Sequence, residues 1–324
     1  MGLETALKLY GEWKTLIKIL FVCSGNKGIS SIVKSQADSL ISKGIELKIS
    51  PIIGKGVWGY LNNIPSLKKQ IEAMKPDIIH SHYSYCGIIS SMASKKVPII
   101  ASLMGSDTHQ SKFMKFIIKF FSDYRWTKTI VKSEDMKLRL NFKNAIVLPN
   151  GVNLDLFKPL DKKECRINLG WELDHKYILF AANPDRKEKN FALAQSAMNN
   201  IKMNHAELKI VYNRNHSQMP VYLNAADILL LTSKWEGSPN IVKEAMACNI
   251  PVVSTKVGDI EYLFGNIEGY YYTDHDSDKL AEKINYVLNN DIKPNGRQRI
   301  IDLKLDSESV ANKLIQLYQE VLSK

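Results

Sequence analysis

The stretch Leu231-Thr232-Ser233-Lys234-Trp235-Glu236-Gly237-Ser238-Pro239-Asn240-Ile241-Val242-Lys243-Glu244-Ala245-Met246-Ala247-Cys248 decides the fold. An apolar strand, Asp227 to Leu231, feeds a polar turn that carries Glu236, and a helix follows with Glu244 in its second turn. Pro239 suits the first helical position, where its missing N–H costs nothing, and Ser238 suits the N-cap. Glu236 is thereby placed on a loop at the carboxyl end of a strand, and Glu244 on the helix. The free N–H groups at Gly237, Ser238, Asn240 and Ile241, with the partial positive charge of the helix start, face whatever occupies that loop. Such a site suits an anionic, hydroxyl-rich ligand: amides meet phosphate or sugar oxygens, and the two carboxylates accept from hydroxyls.

Working outward, strand–loop–helix alternation runs through the chain and argues for an α/β protein with parallel sheets covered by helices. Ile17–Cys23 reads as a strand, followed by Ser24-Gly25-Asn26-Lys27-Gly28 and a helix from about Ser30 to Lys43. Further strands are read at Glu46–Ser50, Asp77–His80, Pro98–Leu103, Thr129–Lys132 and Ala145–Leu148. The pattern restarts with Tyr177–Ala181, a polar loop and a helix from about Phe191, then Leu208–Tyr212, Asp227–Leu231, Pro251–Ser254 and Gly269–Tyr272. Between the halves, Leu148-Pro149-Asn150-Gly151-Val152-Asn153 has the Pro and Asn-Gly of an irregular connector. Two domains are expected, 1–152 and 153–324. Neither half carries a complete dinucleotide motif, since the first offers only Gly25 and Gly28; that argues against a nicotinamide enzyme.

At 324 residues the chain suits two domains of ordinary size, and its composition, 45% hydrophobic and 24% charged, is that of a globular protein. No apolar run is long enough to span a bilayer. Met1 to Lys18 has neither a secretory apolar region nor a cleavage site, and Ala6 stands where a myristoylation signal at Gly2 wants Ser or Thr. Cys23, Cys86, Cys165 and Cys248 are scattered without metal spacing, which reads as reduced thiols in the cytoplasm. The net charge of +11 is uneven: residues 1–155 carry 22 Lys and Arg against 11 Asp and Glu, and residues 156–324 carry 22 of each. The basic half could face anionic lipid, nucleic acid or an acidic substrate. Ser111 to Trp126 reads as a basic amphipathic helix, with Lys112, Lys115 and Lys119 on one face and Phe113, Phe116, Ile117, Phe120 and Tyr124 on another. Helices of this composition lie in lipid headgroups. The commoner fate of such a stripe is packing on the sheet. No RNA- or DNA-binding signature accompanies the charge, so nucleic acid is not expected as a partner.

The opening stretch resembles the signature of glycosyltransferase family four (group 1), retaining nucleotide-sugar enzymes of the GT-B fold: a glutamate, seven residues, a second glutamate, and Gly-x-Pro after the first. Pro251-Val252-Val253-Ser254-Thr255-Lys256-Val257-Gly258-Asp259 resembles the strand and Gly-rich turn that follow in that family, and Pro149-Asn150-Gly151-Val152 its inter-domain crossing. The resemblance implies two Rossmann-like domains facing across a cleft. The first would bind the acceptor and the second the donor, and the last helix, about Ser307 to Ser323, often packs back near the first domain in the family. It implies an Arg…Lys pair for the leaving diphosphate, mapped onto Arg186 and Lys189, with Lys187 as competitor and Lys189-Asn190 in place of the commoner Lys-Gly. An Arg fork and a compact Lys charge suit phosphate oxygens.

By the same resemblance Glu244 binds ribose hydroxyls and Glu236 sugar hydroxyls. Gly237, Ser238, Pro239, Asn240 and Ile241 hold the donor, and Gly28, with Gly25, lets the first loop approach phosphates or acceptor. His80 and His82 end a strand and read as structural or acceptor-side. Ala101-Ser102-Leu103-Met104-Gly105-Ser106-Asp107 resembles a Thr-x-His-Gly-x-Asp strand end, with Met104 where the family's sugar-contacting histidine stands. Met104 either packs or makes an apolar contact to a sugar lacking a C6 hydroxyl; Asp107 is left to bind a sugar or acceptor hydroxyl. The expected reaction is transfer from a nucleoside-diphosphate sugar to a glycan or polyprenyl-linked acceptor in surface-polysaccharide synthesis, with the departing phosphate taking the acceptor proton. No metal and no cofactor are expected, because the basic pair serves the role of a divalent ion. The expected location is the cytoplasm, peripherally on the inner face of the membrane. The rivals are a catalytically silent sugar- or nucleotide-binding relative, which Met104 motivates, and another GT-B enzyme such as an epimerase or phosphorylase, for which no phosphate subsite or pyridoxal lysine is apparent.

Overall fold

Buried β-branched and leucine runs build two parallel sheets, as expected of strands covered on both faces. The structure, a computed structural model, describes residues 16–142 and 145–323; the myristoylation reading, and the leader reading of Met1 to Lys18 up to residue 15, lie outside the described residues. The first sheet has the order β2-β1-β3-β4-β5-β6, with β1 at Lys18–Ser24, β2 at Glu46–Ile52, β3 at Ile78–His82, β4 at Ile99–Ser102, β5 at Lys128–Val131 and β6 at Ala145–Val147. The second has the order β11-β10-β9-β7-β8, with β7 at Lys176–Phe180, β8 at Ala206–Ile210, β9 at Ile228–Leu231, β10 at Val252–Thr255 and β11 at Tyr270–Thr273. Every strand pair is parallel. The order of each sheet reverses once, between β1 and β3 and between β7 and β9, and in open α/β sheets a ligand crevice opens at that point, beyond the carboxyl ends.

The helices that matter to the site are α1 (Ser31–Ile41), α2 (Lys112–Tyr124), α3 (Phe191–Asn199), α4 (Asn240–Ala247) and α5 (Ser307–Leu322). The Ser30 hydroxyl caps α1 by accepting from Val33 N. The start of α4 differs from the sequence reading by one residue. Pro239 is the N-cap and Asn240 the first helical residue, because Pro239 holds an extended ψ of 112° while its carbonyl already accepts from Val242 N. Ser238 makes no cap bond.

Helix α5 crosses back to the first sheet. Its Val310, Ala311, Leu314, Leu317, Tyr318 and Val321 share a core with Ile19, Phe21, Val33, Ile100 and Ile130. Beside this return the connector is laced to the start of α5: Val152 N donates to Leu305 O, Ser307 N donates to Val152 O, and a Cβ on Gly151 would come within 2.7 Å of Ser307 Cα. Helix α2 departs from the commoner expectation. Ile118 and Ser122 face the sheet, Ile117 is half-buried, and Phe113, Phe116, Phe120 and Tyr124 stand 73%, 69%, 48% and 75% exposed.

Candidate functional site

The loops after β7 and β9 flank the reversal of the second sheet and are stitched together. Lys234 N donates to Glu188 O, and the Thr232 hydroxyl donates to Lys189 O. Lys189 Nζ lies 2.5 Å from Glu236 Oε1, with both side chains mostly buried, and the Ser233 hydroxyl donates to the same oxygen. Arg186 is more than half exposed and paired with Glu188, its Nε 2.7 Å from Oε1; against burial, which raises it, the backbone N–H of Glu188 and then the Arg186 cation hold the Glu188 carboxyl below its usual range. Lys187 is exposed. Asn190 sits at φ 51°, in the left-handed region that asparagine tolerates better than most residues, which accounts for asparagine where a glycine is commoner.

On α4, Glu244 is buried and its Oε1 lies 2.8 Å from His216 Nε2, on a short turn after β8. That hydrogen bond raises the His216 pKa, against the effect of burial. The His216 ring also tilts against Phe157, with centroids 5.1 Å apart. Lys243 is buried and donates to Asn150 O at 2.6 Å, fixing the connector; burial pulls its pKa to about 8, opposed by Asp259 and Glu244. Asp259 is pushed up to about 6 by burial, with Lys243 opposing. Gly237, Ser238 and Pro239 are buried at the mouth of α4, with Asn240 and Ile241 half-buried behind them.

The two domains touch over this turn. A Cβ on Gly105 would come 2.7 Å from Gly237 N, and a Cβ on Gly258 would come 2.7 Å from Gly237 O. Only bare backbone allows three segments of the chain to approach so closely. Beside the contact the His109 ring of the first domain stacks on Trp235, with centroids 4.3 Å apart. A cavity of about 270 Å³ opens there between His109, Arg139, Trp235, Glu236 and Lys256, and a groove of about 980 Å³ runs from His216 along α1.

On the first-domain side, Asp107 is fully buried and braced locally: it accepts from Met104 N at 2.7 Å and from the Ser84 hydroxyl at 2.6 Å. Burial raises its carboxyl to about 6 although these bonds oppose it. Met104 is half-buried at the domain contact. His82 is buried, stacked on His80 at 4.6 Å, and pulled down to about 3 by burial and then by Lys132. His80 Nδ1 lies 2.7 Å from the Tyr318 hydroxyl of α5. Gly28 stands on an exposed turn at φ 78° with open space where a Cβ would be, whereas Gly25 is pinned, its Cβ position 2.6 Å from that of Pro51.

The structure therefore brings Lys189, Glu236, Gly237, Glu244 and the Met104–Asp107 loop to one cleft, leaves Arg186 turned aside onto Glu188, and sets Gly28 on an exposed turn. His216, Lys132 and the His109–Trp235 stack were not read from the sequence. A histidine just past the end of β8 is a signal that could have found His216. Lys132, at the end of β5, reads as an ordinary surface lysine. Among the described residues, no group of three or more His, Cys, Asp or Glu side chains is arranged to hold a metal ion.

Comparison with known proteins fits this geometry. The family description "Glycosyl transferases group 1" matches residues 205–302, and "Glycosyl transferase 4-like" matches residues 28–133. The chain is 28% identical over 238 residues to the putative teichuronic acid biosynthesis glycosyltransferase TuaC of Bacillus subtilis, a match spanning 64% of this chain and 60% of that one. It is 22% identical over 268 residues to the UDP-Gal:alpha-D-GlcNAc-diphosphoundecaprenol alpha-1,3-galactosyltransferase of Escherichia coli, with 69% of each covered. In fold it is similar to sucrose-phosphate synthase of Thermosynechococcus elongatus, with a TM-score of 0.79 at 17% identity over 95% of this chain and 99% of that one. It is also similar to Anabaena HepE, solved in complex with UDP and glucose, with a TM-score of 0.76 at 16% identity over 94% and 100%. With a glycosyltransferase description matching each half and the GT-B arrangement of two facing parallel sheets, the chain belongs to the group 1 glycosyltransferases.

Proposed function

We propose that the protein transfers a sugar, with retention at the anomeric carbon, from a nucleoside-diphosphate sugar to a glycan or polyprenyl-linked acceptor in surface-polysaccharide synthesis. The observation that carries the reading is the buried Lys189–Glu236 pair beside the free amides of the α4 turn, at the reversal of the second sheet. The transferred sugar lies along the α4 amides, with the diphosphate between them and the Lys189 loop. Lys189 supplies a fixed charge, and Arg186 turns from Glu188 to supply a planar fork. Glu244, aimed by His216, accepts from ribose hydroxyls, and Glu236 from the sugar. The bond from C1 to the diphosphate oxygen breaks, the bond from C1 to the acceptor oxygen forms, and the acceptor proton passes to the departing phosphate. The basic pair compensates the leaving charge without a metal. Contact of Gly105 with Gly237 corresponds to the closed cleft, which excludes water.

The E. coli relative is named for an acceptor on diphosphoundecaprenol, and the aromatic stripe of α2 gives the acceptor domain a means of reaching such a lipid. Phe113, Phe116, Phe120 and Tyr124 repeat along one line of the helix, and Lys112 and Lys119 edge it. The rings enter the headgroup layer while the lysines meet anionic lipid, which holds the protein on the inner face of the membrane.

The experiment is a thermal shift of the purified protein with UDP, GDP, ADP and TDP, repeated on Arg186→Ala and Glu244→Ala. A ligand that binds only the folded state raises the melting temperature. Stabilisation by one nucleotide, lost in both variants, is the expected result; no response to any of the four would defeat the reading.

A further inference from the structure

Two lysines are buried at the floor of the cleft, one from each domain, and they are not equivalent. Lys243 forms no ion pair among the described residues, yet the nearby Asp259 and Glu244 carboxylates favour its charge. Lys132, only 3% exposed, has neutral oxygens alone: its Nζ reaches the Ser102 hydroxyl at 3.1 Å and Leu148 O at 3.4 Å. It enters no ion pair among the described residues. Its charge is disfavoured by burial and by Lys243, which together pull its pKa to about 7. Beside it lies His82, equally buried, with both ring nitrogens lacking a hydrogen-bond partner.

A buried ammonium without a counter-charge is costly, and apolar replacement of such a charge is often neutral or stabilising. Holding the connector does not need a charge, since one hydrogen bond to Leu148 O would serve. The location suggests what does need it. Lys132 follows β5, whose register with β4 pairs Ser102 with Ile130, so Lys132 rises next to the Met104–Gly105 turn. Its Cβ lies 3.5 Å from where a Cβ on Gly237 would stand. It is thus packed under the domain contact, against the turn whose amides hold the transferred sugar in the reading above, on which this inference rests. The diphosphate already has Arg186 and Lys189 in the second domain.

We propose that Lys132 receives a carboxylate carried by the transferred sugar, so that the donor is a nucleoside-diphosphate uronic acid. The sugar carboxylate supplies the missing counter-charge and takes Lys132 as donor, with His82 as a neighbouring hydrogen-bond partner. A neutral hexose satisfies the hydrogen bonds and leaves the charge uncompensated.

The test is calorimetric binding of UDP-glucuronate against UDP-glucose and of GDP-mannuronate against GDP-mannose, with UDP and GDP alone, to wild type, Lys132→Met and Lys132→Gln. For the nucleotide that binds, the uronate is expected to bind at least about tenfold tighter than its neutral counterpart, about 1.4 kcal/mol. Both variants lose that preference, keep the affinity for the bare nucleoside diphosphate, and melt no lower than wild type without ligand. Equal or tighter binding of the neutral sugar by wild type overturns the proposal. So does loss of the bare nucleotide in the variants, which would assign Lys132 to the phosphates, and so does a lowered melting temperature in both, which would assign it to the connector. If neither UDP nor GDP binds wild type, this inference falls; if ADP and TDP fail as well, the donor-site reading falls with it.

Discussion

Lys189 and Glu236 are 47 residues apart in sequence and 2.5 Å apart in space, and their ion pair joins the loops after β7 and β9. Each masks the charge of the other before a ligand arrives. Removing the lysine leaves a carboxylate beside an incoming diphosphate, which costs more than the lost contact alone. We expect Lys189→Ala to lower kcat by on the order of 10²–10³-fold, the scale of one lost charge-stabilising donor. Residues acting as a unit are not additive. The Lys189→Ala/Glu236→Gln pair should therefore be little worse than Lys189→Ala. Steady-state kinetics on the four proteins check this, and full additivity would show that the two act separately.

The contact of Gly105 with Gly237 depends on bare backbone, and in the proposed cycle it forms when the cleft closes. A methyl on Gly105 meets backbone nitrogen at 2.7 Å, whereas one on Gly237 meets Gly105 backbone at 3.2 Å. Gly105→Ala should lower kcat strongly and Gly237→Ala less. Both should leave the melting temperature within about 2 °C of wild type, because the contact lies between domains and outside either core. Equal turnover in the two variants would remove the contact from the catalytic cycle.

His216 should aim Glu244 in a pH-dependent way. Its native pKa is raised by Glu244, so its contribution to stability is full below the unfolded value near 6.5 and is lost as pH rises through the raised native value. Comparing His216→Asn with wild type by urea denaturation, we expect a gap of about 1–2 kcal/mol at pH 5.5 that narrows by pH 8.5. A gap that widens with pH would reverse the assignment.

Lys132 carries the opposite sign. Its native pKa near 7 lies below the unfolded lysine value, so between these the unfolded chain binds more protons and stability rises with pH. From pH 7 to 8.5 wild type should gain stability relative to Lys132→Met. A constant difference across the window would mean that Lys132 does not titrate in it.

Phe113→Ser/Phe116→Ser/Phe120→Ser should fold like wild type, since all three rings are exposed. It should lose most of its co-sedimentation with vesicles rich in phosphatidylglycerol. Wild-type binding should weaken in 0.5 M salt without vanishing, because salt screens the lysines and leaves the rings. Equal sedimentation of variant and wild type would clear the stripe of any membrane role.

The sequence is most readable where a local rule decides the structure. The helix read from about Ser30 begins at Ser31, strand follows helix in register with the apolar runs, and Glu236 and Glu244 fall on the loop and helix that their spacing predicts. It is least readable where a long-range contact decides. His216 and Glu244 meet across 28 residues, and only folding brings the turn after β8 against α4. Lys132 becomes unusual only through burial, which a strand-end lysine does not announce. In α2 the periodicity picks out an aromatic stripe and cannot say which side meets the sheet. Met114, Ile118 and Phe121 form a second apolar face, and that one packs inward. At Pro239 the ring fixes φ alone, so the helix start moves by one residue with ψ.

Tyr318 of α5 stands against His80 in the heart of the first sheet, and five more α5 side chains wall the same core. Translation therefore leaves that sheet with one open flank until more than 150 further residues have been added. The nascent first half must wait, or be shielded, while the second is made. A gene cut at the connector would not yield two self-sufficient halves, and an insertion between them would have to preserve both crossings of the chain.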